Sequence, residues 1–184
     1  MMKTQTRERL MIIRRAETAD AEAIMRINVN TWRQAYQGLL PDDFLAARGE
    51  SPERLARIIK NIAKPENYIA VAEAEDGKVV GYIWGGKGRK ETIPCPKEVY
   101  AFYVNSDDQR KGVGKALWES FRDYAEGACF YVCVLKGNRR GEGFYRHQGG
   151  RHNQLYDLIQ CHDGIVLHEE VYFFDMDLSG GDKF

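Results

Sequence analysis

The stretch that decides the reading is Glu98-Val-Tyr-Ala-Phe-Tyr-Val104, Asn105-Ser-Asp-Asp108, Gln109-Arg-Lys-Gly-Val-Gly114, Lys115-Ala-Leu-Trp-Glu-Ser-Phe-Arg-Asp-Tyr-Ala125. Its first part is nearly all apolar, which predicts a central strand over 98–104 buried on both faces. Residues 105–110 read as a turn. From Gly112 the apolar positions Val113, Ala116, Leu117, Phe121, Tyr124 and Ala125 recur at helical spacing, with Lys115, Glu119, Arg122 and Asp123 outward. Gly112 and Gly114 remove side chains where this helix opens, so a diphosphate can approach free backbone N–H groups and the positive end of the helix dipole. Gln109, Arg110, Lys111 and Lys115 add side-chain donors there. The spacing is neither that of a Walker A loop nor the three-glycine fingerprint of a dinucleotide fold.

Upstream, residues 10–16 read as a strand, and Thr18 or Asp20 can cap the next helix. Met25, Val29, Trp32 and Tyr36 form its apolar stripe, and Gly38 ends it. Residues 41–45 read as a short helical turn. Ser51-Pro52-Glu53 starts a helix, with Ser as cap and Pro at its first position; Leu55, Ile58, Ile59 and Ile62 mark one face and Pro65 stops it. Strands over 68–74 and 79–85 flank Asp76-Gly77, a hairpin signal, and a polar loop covers 86–97. Downstream, a second buried strand occupies 128–135, a short helix 140–148, and strands 152–160 and 165–178 flank His162-Asp163-Gly164. The expected order is β-α-α-β-β-β-α-β-α-β-β, an α/β (α+β) mixed sheet with helices on its faces in one domain over 10–178. Tails of 1–9 and 179–184 lie outside it.

The chain has 184 residues, 43% of them hydrophobic, enough for one substantial core. Lys plus Arg and Asp plus Glu are both 27, a formal net charge of zero. Together with basic clusters that are all short, this argues against a nucleic-acid surface. No stretch approaches the ~20 apolar residues of a bilayer span, and the polar start does not read as a signal peptide. The four cysteines and four histidines lack metal-ligand spacing, so no metal is expected. Reduced thiols and a cytoplasmic location are the expectation.

The segment Gln109 to Gly114 resembles the Gln/Arg-x-x-Gly-x-Gly/Ala motif of the GCN5-related N-acetyltransferase superfamily. The element order is similar to that family's along nearly the whole chain. Asn138 to Tyr145 looks like its next motif, an Asn followed by a Phe-Tyr pair. Trp32-Arg-Gln-Ala-Tyr36-Gln-Gly38-Leu-Leu-Pro41 resembles the early helix and loop of small-molecule members. Two positions depart from the pattern: Glu142 where an Ala is common, and Gly149-Gly150 where Gly-Phe is common.

The resemblance implies acetyl-CoA as cofactor and an N-acetyltransferase acting on a primary amine of a small molecule or peptide. The strands 98–104 and 128–135 would splay apart to admit the cofactor. The backbone of Phe102, Tyr103 and Val104 would meet the pantetheine arm. Gln109, Arg110, Lys111, Gly112, Val113, Gly114 and Lys115 would hold the pyrophosphate, Asn138 would bond the pantetheine region, and Tyr145 would sit near the sulfur as general acid. Val104 N–H would be the donor to the tetrahedral oxyanion. The amine must lose a proton before it attacks. Glu98, eleven positions before Gln109, is the expected base, because some members carry a base glutamate at that spacing; Glu73 and Glu75 are alternatives without support from strand alternation. Trp32, Tyr36, Tyr82 and Trp84 are candidates for an acceptor pocket. No nucleic-acid or membrane partner is expected, and a homodimer is compatible with the resemblance. The alternative reading is a non-catalytic acyl-CoA-binding module, suggested by the glycine-rich stretch 137–150.

Overall fold

The computed structural model describes residues 11–162 and 164–175. The expected tails, the outer end of the first strand at residue 10, Asp163 and the last residues of the final strand lie outside the described residues.

Among the described residues, five α-helices and eight strands follow in order: β1 (Ile12–Arg15), α1 (Ala21–Tyr36), α2 (Asp42–Ala47), α3 (Pro52–Ile62), β2 (Tyr68–Glu73), β3 (Val79–Lys87), β4 (Lys97–Val104), α4 (Val113–Ala125), β5 (Phe130–Leu135), α5 (Arg139–His147), β6 (Arg151–His152), β7 (Leu158–His162) and β8 (Ile165–Phe174). The helix starts obey their local chemistry. Ser51 Oγ accepts from the N–H of Arg54 with Pro52 at the first helical position. The cap expected at Thr18 or Asp20 is not made on α1: Asp20 precedes the helix without a side-chain bond to it, and its carboxylate instead accepts from the N–H of Glu17 and is held by Arg14 through two hydrogen bonds of 2.7 and 2.9 Å.

The strand expected over 152–160 divides in two. Asn153 Oδ1 accepts from the N–H of Leu155, and this Asx turn lifts 154–156 out of the sheet, leaving Leu155 88% exposed.

The strands form one sheet in the order β1-β2-β3-β4-β5-β8-β6, with β7 on β8; every pairing is antiparallel except β4 with β5. Helix α4 packs on one face through Leu117, Trp118 and Phe121 against Ile83, Val99 and Phe130. Helices α1 and α3 pack on the other through Ile24, Ile27 and Ile58 against Ile69, Val71 and Tyr82.

The parallel pair is short. Lys97, Glu98 and Val99 align with Phe130, Tyr131 and Val132, and no register continues beyond them. A bulge lies at the same level, because Trp84 opposes Ala101 while Gly85 opposes Val99, leaving Tyr100 as the extra residue of β4. Such an extra residue bends its strand, and here β4 turns away from β5. Gly85 makes the bend fit: a Cβ there would stand 2.3 Å from Phe121 Cε2 and 2.4 Å from the Glu98 carbonyl oxygen. Below the fork, Cys95 and Cys129 are joined in a disulfide with their Cα atoms 5.3 Å apart. This departs from the reduced thiols expected of a cytoplasmic chain: the docking of the β3–β4 loop beside the start of β5 brings together two cysteines 34 residues apart in sequence.

Candidate active site

A cavity of about 1150 Å³ occupies the fork between β4 and β5 and is lined from both faces of the sheet. From the α4 side come Phe102, Val104, Gln109, Arg110, Gly112, Gly114, Lys115, Asn138 and Tyr145; from the α1 and α3 side come Trp32, Tyr36, Arg54, Tyr82, Trp84 and Tyr103. Of the expected site residues, only Glu98, Lys111 and Val113 are missing from the wall.

The loop before α4 is built to leave backbone donors open. Gly112 caps the helix at φ +86° and Arg110 is also left-handed at φ +59°. At Gly112 nothing lies within 4 Å of where a Cβ would be, so the space above the helix end is empty. Gln109 works on the strand rather than outward: its Nε2 donates to the Val104 carbonyl at 2.8 Å, fixing the end of β4. Its Oε1 is buried without a partner. Lys111 turns away to Asp108 at 3.2 Å, and Val113 is a core residue, 5% exposed. The side-chain donors left for a phosphate group at this loop are Arg110 and Lys115, with Arg140 also on the wall.

Asn138 caps α5, its Oδ1 accepting from Gly141 N–H at 3.1 Å. That cap holds the glycine-containing helix that presents Tyr145. The Tyr145 ring packs on Trp118 at 5.4 Å between centroids, and its hydroxyl has no hydrogen-bond partner among the described residues. Burial, with Tyr36 and Cys133 nearby, pushes its pKa up, so the phenol keeps its proton.

Glu98 departs from the expectation. It is 1% exposed. Its carboxylate accepts four hydrogen bonds, from the Arg89 N–H, Nε and guanidinium NH2 and from the Tyr131 hydroxyl. Arg89, not Glu98, reaches the cavity wall. The sequence reading placed Glu98 by spacing alone, and spacing carries no signal that Arg89 and Tyr131 converge on it from the β3–β4 loop and β5. Glu73, the alternative, is held by Arg14 at 2.7 Å at the end of β2, beside the edge strand β1.

The one carboxylate in the cavity wall, among the described residues, is Glu169 of β8. Gln160 of β7 donates to its Oε2 and takes a bond at 2.9 Å from Lys90 through its own oxygen. Oε1 of Glu169 has no partner among the described residues. Burial raises its pKa, opposed by Gln160, Lys90 and Arg89. It pushes the neighbouring Cys133 thiol in the same direction as burial does, to about 12. Sequence reasoning missed Glu169. Alternation along 165–178 could have assigned it a face, but not a cavity.

The chain belongs to the Acetyltransferase (GNAT) family, whose model matches residues 29–149. It is 29% identical over 111 residues to the "Uncharacterized N-acetyltransferase YuaI" of Bacillus subtilis (strain 168), a match spanning 59% of this chain and 60% of that protein. It is 30% identical over 101 residues to the N-alpha-acetyltransferase RimI of Mycobacterium tuberculosis, spanning 55% of this chain and 63% of that one. The chain thus spans about three-fifths of the length of these curated relatives. The fold is that of the PaiA N-acetyltransferase from Thermoplasma acidophilum, crystallised in complex with coenzyme A: TM-score 0.68 at 18% identity, covering 88% of this chain and 98% of that one. No helix among the described residues is long and apolar enough to cross a membrane, and no group of three metal-ligating side chains occurs among them.

Proposed function

We propose that the protein is an acetyl-CoA-dependent N-acetyltransferase that moves the acetyl group to a primary amine by direct attack on the thioester. The observation that carries this reading is the fork: a strand end, an open helix N-terminus and a protonated phenol converge on one cavity, with a free carboxylate on its opposite wall. The residues fit the cofactor. Gly112 leaves room for a pyrophosphate over the α4 N–H groups, and Arg110, Lys115 and Arg140 supply countercharge. Bound there, acetyl-CoA supplies the activated acyl group.

The chain's own residues then divide the work. β4 beyond Val99 has a free edge on the β5 side, since the parallel register stops at that residue; Phe102 to Val104 can pair with an extended arm. Val104 N–H is the proposed donor to the oxyanion. Tyr145, kept protonated by burial, donates to the departing thiolate. For the amine proton the carboxylate we assign is Glu169 in place of Glu98: Oε1 is free, the group lies on the cavity wall, and burial raises its proton affinity above the usual carboxylate range, the direction a base needs. Glu98 becomes a positioning residue that fixes Arg89. A module that only bound the cofactor would need neither an unpaired phenol nor an unpaired carboxylate facing it.

Acetyl-CoA should raise the melting temperature by several degrees at saturation through mass action, and a thiol-release assay over an amine panel should show turnover. Absence of both overturns the reading. An enzyme fed by acetyl-CoA belongs in the cytoplasm, which is the compartment proposed. A cytoplasm keeps most thiols reduced, so alkylation of thiols in intact cells reads whether the Cys95–Cys129 bond seen in the structure persists there. A homodimer is the oligomeric state to test first, by analytical ultracentrifugation.

A further inference from the structure

The cavity wall holds more positive charge than a pyrophosphate accounts for. Arg110, Lys115 and Arg140 stand at the α4 and α5 end. On the α1 and α3 face, Arg48, Arg54 and Arg57 line the same cavity. None of these three is ion-paired among the described residues, although Asp42, Asp43, Glu50 and Glu53 are close in sequence. Arg48 lies over the Trp32 ring at 4.2 Å, and its Nε is buried without a hydrogen-bond partner. Arg54 has only a 3.5 Å contact to Asn28 Oδ1. Burial and the charges of Arg48 and Arg57 lower the proton affinity of Arg54, so the group is crowded by like charge.

Arg48 and Arg54 are half-buried in the wall without a counter-ion among the described residues, and the buried unpaired Nε of Arg48 is a cost to the free protein; Arg57, exposed at the rim, adds like charge. An oxyanion entering there would offset that cost, because the planar fork of donors matches a carboxylate or phosphonate. The cluster is connected to the reacting end. Asn28 Nδ2 donates to the Tyr82 hydroxyl at 2.8 Å, and Tyr82 stands opposite Tyr103 across β3 and β4 with ring centroids 5.9 Å apart. Tyr103 precedes Val104. Asn28, Tyr82 and Tyr103 thus form the floor between the arginines and the thioester position.

Resting on the acetyltransferase reading above, we infer that the acceptor is a small amine that also bears an oxyanion, the oxyanion seated on Arg48, Arg54 and Arg57 and the amine presented to Glu169. The same wall disfavours polyamines and aminoglycosides, whose additional cations would meet the arginines.

The test uses matched twins: free amino acids against their carboxamides, and aminoalkylphosphonates against amino alcohols, with spermidine and kanamycin as cationic probes. Each is titrated into protein saturated with coenzyme A, read by the fluorescence of Trp32 and Trp84 in the cavity wall, and the same panel is run for thiol release with acetyl-CoA. The expected result is at least one pair in which the oxyanion-bearing amine binds about tenfold or more tightly than its neutral twin. Which pair shows it distinguishes carboxylate from phosphonate. In the Arg54→Gln/Arg57→Gln double variant that preference should vanish while the melting shift with coenzyme A is unchanged. Equal or tighter binding of the neutral and cationic probes throughout overturns the inference, as does a preference that survives in the double variant. If coenzyme A itself gives no melting shift with wild type, the acetyltransferase reading has failed and the inference falls with it.

Discussion

The two walls of the cavity are made by different means. The α4 wall is mostly backbone: a strand end, two left-handed residues and the first turn of one helix within 98–125, with Asn138 and Tyr145 added by α5 and its cap. The α1 and α3 wall is side chains: Asn28 and Trp32 from α1, Arg48 from the end of α2, Arg54 from α3, Tyr82 from β3, Glu169 from β8. A backbone site can be held by local geometry and tolerates change in most of its side chains. A side-chain site is fixed only by the tertiary fold and is sensitive residue by residue. The cofactor should therefore be lost through backbone changes, and the acceptor chemistry through single functional groups.

The largest effect is expected at Glu169. Glu169→Gln keeps the shape and the contact to Gln160 but removes the proton acceptor. Turnover at neutral pH should fall by roughly 10²–10⁴, the range for a positioned base. The wild-type pH–rate profile should have an ascending limb above the usual carboxylate range, because burial raises this pKa, and the variant should lose it. Unfolding is not the explanation. A carboxyl whose folded pKa is raised stabilises the fold below its unfolded pKa and loses that contribution as pH rises through the folded value. Replacing it with a neutral amide should leave the melting temperature at pH 7 unchanged or higher. Wild-type turnover in this variant would return the base role to another group.

Gly112→Val comes next and attacks the other wall. The left-handed conformation costs a residue with a Cβ about 1–2 kcal/mol, yet the space around that Cβ is empty in the free protein. The variant should fold, melt somewhat lower, and lose the melting shift with acetyl-CoA. A preserved shift would mean that the pyrophosphate does not lie over the α4 N-terminus.

Tyr145→Phe should have a smaller effect. The hydroxyl has no partner among the described residues to lose, and a thiolate with a pKa of about 8.5 leaves without much help. A fall of about tenfold in kcat with unchanged acetyl-CoA affinity is the pattern of a group acting mainly in the transition state. Weaker binding with normal kcat would make the phenol a packing residue.

The same contrast explains what could be read from the sequence. Strand, turn, glycines and helix are consecutive in 98–125, so the fold and the α4 wall were legible from periodicity and turn chemistry. Ser51, Pro52 and Asp76-Gly77 placed α3 and the β2–β3 hairpin equally locally. The fork was implied by resemblance, but its cause, the bulge at Tyr100 packed on Gly85, needs the register of two strands. Glu169 faces the cavity because β8 lies next to β5, a non-local pairing that no single stretch announces. The disulfide and the Arg48, Arg54 and Arg57 cluster escaped for the same reason. Glu98 sits on the strand where the sequence put it, but its surroundings were not legible there, because its partners Arg89 and Tyr131 are 9 and 33 residues away.

Glu98→Gln is the variant that separates the two carboxylates, and it should affect turnover least. The amide keeps one acceptor oxygen and replaces the other by a donor, so it faces the donors of Arg89 and Tyr131 with half the acceptors. Losing hydrogen bonds to a buried group costs about 1–3 kcal/mol; the exposed half of the Arg89 side chain can move into solvent, which favours the lower part of that range. The melting temperature should therefore drop. Arg89 then loses its fixed place on the cavity wall, so KM for the acceptor should rise. The pH–rate profile should keep its shape, because Glu169 is untouched, and kcat should fall by less than about tenfold, well short of the loss of a positioned base. A Glu98→Gln profile without the ascending limb, beside a Glu169→Gln profile that retains it, would reverse the assignment. It would mean that Arg89 swings aside when acetyl-CoA binds and that the carboxylate at the base of the fork takes the amine proton after all.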